Sequence, residues 1–154
     1  MLVGNRLIGV IINILCVIQI IGMIVYLLVA WGDIPDQIPG HFGASGEVTR
    51  WDSKGTLFIM PGIATVLFIV MSVVERYPHL WNTGVRITEE NKFRIYRILK
   101  GLLDSIKLVI VTMFSFLTII QSRAQELPMW FLPVVLCMIF IPIIFHIVLL
   151  VRAR

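Results

Sequence analysis

The chain has 154 residues, which suits one domain. Hydrophobic residues make up 58% of it and charged residues only 14%, against about 25% charged in a typical soluble domain. That balance excludes a water-soluble globule and indicates a polytopic membrane protein. Net charge is +4, and an anionic inner membrane surface accounts for it without nucleic acid. Cys16 and Cys137 both sit inside apolar runs, where a thiol packs as a small hydrophobe, so no disulfide framework is expected.

Taken in order, the chain opens with a short head, Met1 to Arg6, carrying one positive charge. Leu7 to Ala30 is then free of formal charge for 24 residues, longer than the roughly 20 needed to cross a bilayer. Tyr26 and Trp31 are placed as interfacial anchors at its far end. Asn13 and Gln19 are its strongly polar side chains, expected to hydrogen-bond across a helix interface. A polar loop over 31–54 follows, and a second span over about 55–75, which Pro61 and Gly62 are expected to kink. The segment from Glu75 to Lys100 is polar and punctuated by Tyr77-Pro78 and Asn82-Thr83-Gly84.

From Thr88 the pattern predicts a helix with Thr88 as N-cap and Glu89 and Glu90 in its first turn. Its polar stripe is Arg94, Arg97, Lys100, Asp104 and Lys107, at helical spacing. The third span is expected over about 101–121 and the fourth over about 128–151. The predicted fold is therefore an all-α membrane protein, a single domain over 1–154. It has four transmembrane helices, an external 31–54 loop and an inner amphipathic helix leading into the third span.

Lysine and arginine set the orientation. With the N-terminus inside, inner segments hold nine of them and outer segments three, Arg50, Lys54 and Arg123, as the positive-inside rule requires. The expected location is a bacterial plasma membrane with both termini cytoplasmic and the 31–54 loop outside.

The loop reads I-P-x-x-I-P-x-H-F-G-x-x-G-x-x-x-x-W-x-x-K from Ile34 to Lys54. This resembles the signature of the small membrane domain of unknown function at the N-terminus of SdpI-type immunity proteins, through Pro35, Ile38, Pro39, His41, Phe42, Gly46, Trp51, Ser53 and Lys54. The stretch Val85 to Arg97, with Thr88, Glu89, Glu90, Asn91, Tyr96 and Arg97, is similar to a second block of such proteins. The resemblance covers roughly residues 1–121 and implies a bacterial, often Gram-positive, plasma-membrane protein. Toxin immunity is what it implies for function.

Within the loop, Pro35 and Pro39 fix φ and Gly46 permits a tight turn around His41. One reading has His41 bonded within a rigid loop, with Phe42 and Trp51 packed onto the span ends. A metal reading would add Glu47 or Asp52, a poor zinc set because it lacks a second histidine or a cysteine. As a binding surface, Phe42 and Trp51 with Asp36, Glu47 and Asp52 suit a cationic or amphipathic peptide.

Glu75, Asp104, Lys107 and His146 agree in depth near the inner face and form a candidate intramembrane cluster. Either Asp104 and Lys107 pair while Lys107 snorkels inward, or the group relays protons. No HExxH, GxSxG or phosphate-loop motif is present, and no cofactor is expected. The leading expectation is an SdpI-like protein whose external loop recognises or shields against a secreted peptide. The alternative is a small membrane enzyme or a proton-coupled transporter subunit using His41 or the Glu75, Asp104, Lys107 and His146 cluster; a third is a purely structural assembly subunit. Expected partners are an anionic inner leaflet, a secreted peptide, a cytoplasmic protein bound by the basic block, and further copies of the chain.

Overall fold

The computed structural model describes residues 2–153, and the side chains of residues 6–153. Met1 of the predicted head and Arg154 of the inner charge count lie outside them. In chain order the elements are α1 (Leu2–Ala30), β1 (Gln37–Phe42), β2 (Val48–Ser53), α2 (Ile59–Glu75), α3 (Lys92–Ser122) and α4 (Phe131–Arg152), with single 3-10 turns at Lys54–Phe58 and Pro78–Leu80.

Among the described residues, four helical segments are long and apolar enough to cross a membrane. Their outward faces carry large aliphatic side chains in the open, among them Ile8, Ile18, Leu28, Val66, Ile141 and Ile144. Apolar surface on that scale belongs in lipid, and helices satisfy the backbone there without water. α3 is the central helix and packs against α1, α2 and α4. Cys16, Ile20 and Met23 of α1 meet Ala64 of α2 and Val111 of α3 in the mid-bundle core.

The 31–54 segment is not an irregular loop. β1 and β2 form an antiparallel hairpin pairing Gln37 with Ser53, Pro39 with Trp51 and Phe42 with Val48, with bulges on either side of His41. Its root is apolar: Ile34 and Ile38 are buried against Leu27 and Leu57, beneath Tyr26 and Trp31. Gly40 sits in the first bulge, where an added Cβ would run into the Asp52 carboxylate. Two prolines and two bulges hide the alternation that reveals a strand in sequence.

Two further expectations change. α3 starts at Lys92 with Asn91 at the cap position, not at Thr88. Thr88 and Asn91 instead exchange hydrogen bonds, Thr88 N–H to Asn91 Oδ1 at 2.8 Å and Asn91 N–H to Thr88 Oγ1 at 3.3 Å. These asparagine and threonine side chains compete with the ladder and hold Glu89 and Glu90 in a turn before the helix. α3 then runs unbroken for 31 residues, about 46 Å at 1.5 Å per residue. The amphipathic segment and the third span are one helix. Pro61 lies in the first turn of α2, where no internal hydrogen bond is lost, so it starts the helix and does not kink it. Pro142 of α4, by contrast, lies well inside its helix.

Candidate functional site

Two sites emerge, at opposite ends of the bundle. Away from the hairpin, α3 places Lys100, Asp104 and Lys107 on one stripe, and the last residue of α2, Glu75, meets them. Lys107 is 1% exposed. Its Nζ donates to Glu75 Oε2 at 2.5 Å and to Asn13 Oδ1 of α1 at 2.8 Å, and lies 3.2 Å from Asp104 Oδ1. An ammonium has three protons to give, and these three oxygens surround it. Lys100 closes the group, pairing with Glu75 and with Asp104 Oδ2 at 2.8 Å.

Burying one ion costs several kcal/mol, so such a group persists only when its charges balance and its polar atoms are bonded. Here two carboxylates face two ammoniums. Asp104 Oδ1 sits within ion-pair distance of Lys107, yet its alignment does not make a hydrogen bond. That leaves one buried acceptor held by charge alone. α1 passes so close that a Cβ on Gly9 would stand 2.6 Å from Lys100 Nζ.

The structure thus brings together Glu75, Asp104 and Lys107, as their depths suggest, and leaves His146 out. His146 Nδ1 bonds Pro142 O at 2.8 Å within α4, and its ring rests against Gly101. Lys107 does not snorkel: a route to water would break three contacts, and it turns inward. Lys100 and Asn13 are members that the sequence reading did not assign to the cluster. Lys100 was legible, since it stands four residues before Asp104 on the same stripe. Asn13 required knowing that α1 crosses α3 at that height; its amide also donates to Gly9 O at 2.7 Å.

At the hairpin end, polar side chains pair off locally. His41 Nδ1 and Thr49 Oγ1 are 2.7 Å apart, and Ser45 donates to Glu47. Arg50 and Asp52 form a two-point pair at 2.8 and 3.1 Å. Lys54 pairs with Asp36 at 2.9 Å and covers the Trp31 ring at 5.2 Å. The Ser45 hydroxyl holds the Glu47 carboxyl below the ordinary carboxylate range. The weak metal candidates His41, Glu47 and Asp52 thus have three different partners. Among the described residues no three His, Cys, Asp or Glu side chains converge.

The hairpin tip is fastened to the α3–α4 connection. Leu127 N–H donates to Gly46 O at 2.9 Å. Gly46 has φ +94°, and a side chain there would strike the Leu127 carbonyl. Between tip and connection lies a cleft of about 270 Å³ lined by Phe42, Ser45, Leu127 and Phe131, among others. Trp51, expected to pack on the span ends, stands half in the open on β2; Met129 of the cleft wall is 81% exposed, and Trp130, next to it in sequence, is exposed as well. The side chain that caps a span is Trp31, against Phe58 at 5.3 Å.

The block from Val85 to Arg97 is partly built. Asn91 Nδ2 also donates to Arg86 O at 3.1 Å, and Tyr96 meets Trp81 edge-on at 5.9 Å. Trp81 in turn donates to Val74 O at 2.8 Å, folding the α2–α3 connection back on α2. Arg97 is half-buried.

These features define a multi-pass membrane protein with a β-hairpin cap. Residues 18–65 match the family described as Domain of unknown function (DUF1648), which covers the second half of α1, the hairpin and the start of α2. An uncharacterized protein of Archaeoglobus fulgidus is 34% identical over 65 residues, 37% of this chain and 36% of that protein. The matched stretch thus spans about a third of that relative's length. No solved structure matches.

Proposed function

We propose that this chain is an SdpI-like protein of a bacterial plasma membrane whose outward-facing hairpin recognises, or shields against, a secreted peptide. The observation that carries the reading is the cleft between the hairpin tip and Leu127–Phe131. It sits at the end of the bundle with fewest lysines and arginines, the outer end by the positive-inside rule. Exposed Trp130 beside the cleft and Trp51 farther along β2 support apolar contact, and the exposed Glu47 carboxylate at the tip suits a cationic segment. Asp36, at the hairpin root, is paired with Lys54. A two-stranded sheet also has free edges, to which an extended peptide adds by backbone hydrogen bonds. The family match includes this hairpin together with the second half of α1 and the start of α2, which supports a reading centred on the cap.

The test is a growth assay with and without the protein, challenged with a panel of secreted antimicrobial peptides. Protection that is lost in Trp51→Ala supports the reading. Equal sensitivity of both strains to every peptide removes it.

The buried ion group favours a second reading, a proton-coupled transporter subunit in which Asp104 exchanges protons beside Lys107. Proteoliposome proton flux abolished by Asp104→Asn would support it, and flux indifferent to that change would not.

A further inference from the structure

α3 and α4 touch at two levels and part between them. Near the hairpin, Phe116 stacks on Phe131 with centroids 5.1 Å apart. Toward the other end, the His146 ring lies against Gly101. Between these contacts the helices leave a cleft of about 530 Å³, walled by side chains such as Leu108 and Val109 of α3, Val134, Met138 and Pro142 of α4, and Ile12 of α1. Pro142 has no N–H to close the ladder to Met138, and the cleft runs past this break. The one hydroxyl in the wall, Ser105, is occupied by Gly101 O at 2.8 Å. The lining is therefore hydrocarbon, and it faces the bilayer.

The shape selects against a helix as occupant. Helices pack with axes about 8–10 Å apart, and close approach in lipid needs small side chains along the contact. This cleft is pinched at both ends by the Phe116–Phe131 and Gly101–His146 contacts and walled by large residues. A flexible chain entering from the side fits; a helical cylinder does not.

The polar end supplies a charge. Gly101, Ser105 and Leu108 mark the stripe of α3 that faces α4, and Arg97 and Arg94 continue it by four and seven residues toward the helix start. α4 runs to Arg152 at the same end, with Leu150 and Ala153 buried beside it. No carboxylate of the described residues lies within ion-pair distance of Arg94, Arg97 or Arg152, whereas Lys92, Lys100 and Lys107 on the same helix are all paired. Arg97 lies about 12 Å along the helix from Ser105, and Arg152 about 15 Å from Pro142. The Gly101–His146 contact lies between these arginines and the cleft, so a lipid reaching from phosphate to upper acyl carbons over that distance passes the contact on its bilayer side.

We infer that the α3–α4 cleft holds an acyl chain of an anionic phospholipid whose phosphate is bound by Arg97 and Arg152. Guanidinium groups bind phosphate oxygens two at a time, and a basic pocket between transmembrane helices is a recurring headgroup site. The inference stands whichever way the hairpin faces.

The test is native mass spectrometry of the full chain in detergent, incubated with phosphatidylglycerol or with phosphatidylcholine of identical acyl chains. One retained phosphatidylglycerol is expected, at least fivefold over phosphatidylcholine. The pair Arg97→Gln and Arg152→Gln should reduce that ratio to near one, and Cys137→Trp, which fills the cleft, should remove the bound lipid. Lys92→Gln, on a lysine already paired with Glu89, should leave retention unchanged. The wild-type comparison requires no variant to fold. Equal retention of both lipids, retention indifferent to Cys137→Trp, or a dimer in place of a lipid adduct would each overturn the site.

Discussion

Lys107 and Glu75 stand 32 positions apart and meet at 2.5 Å between α3 and the last residue of α2. Lys107 has no exposed side-chain surface and Glu75 very little. The pair ties the two helices at the end of the bundle opposite the hairpin, and Asn13 brings α1 to the same point. Removing one partner of a buried pair costs about 3–5 kcal/mol, because the other charge stays behind. Lys107→Ala should therefore unfold in SDS well before the wild type. Combined with Glu75→Gln, the loss should be smaller than the sum of the two single changes by about 1 kcal/mol or more. Additive losses in the SDS titration would show that the two groups are not coupled.

Gly46 is held at φ +94° under the Leu127 carbonyl. Gly46→Val should strain the backbone by about 1–3 kcal/mol and detach the hairpin tip, while leaving the helices in place. Hydrogen exchange should then accelerate at residues 43–48 and at Leu127, whose amide loses its acceptor, with unchanged protection in α3.

Glu47 titrates below an ordinary carboxylate because Ser45 donates to it. A folded value lower than the unfolded one means that the contact stabilises the hairpin tip above the unfolded pKa. The contribution fades as pH falls through the lower, folded value. Ser45→Ala should raise the Glu47 titration midpoint followed by carboxyl NMR, and should remove the acid-dependent loosening of the tip. A midpoint unmoved by Ser45→Ala would mean that the hydroxyl does not stabilise the carboxylate.

The proposed orientation is checked with two single-cysteine positions in a Cys16→Ser, Cys137→Ser background. Ala44→Cys on the hairpin tip should react with a membrane-impermeant maleimide added to intact cells. Asn82→Cys, in the α2–α3 connection, should react only after the cells are opened. The reverse pattern would turn the protein over.

Membrane character, the number of spans and the basic end of the bundle were all legible in the chain. They depend on what each residue prefers as solvent, and twenty uncharged residues such as Gly55 to Val74 prefer lipid wherever else they pack. The common depth of Glu75, Asp104 and Lys107 followed in the same way, from counting along helices of constant rise. Tertiary structure alone decided which of those groups meet. His146 has a matching depth, but its place on α4 puts it against Gly101, while Asn13 of α1 takes a place around Lys107 that depth could not assign. The hairpin was hidden for a related reason. Its strands are held by pairing across the turn and by Ile34 and Ile38 seated on Leu27 and Leu57, so local propensity, broken by Pro35, Pro39 and Gly40, reads as loop. Burial in lipid is a property of a segment by itself; partners in a cluster and registers in a sheet are properties of how segments are placed on one another.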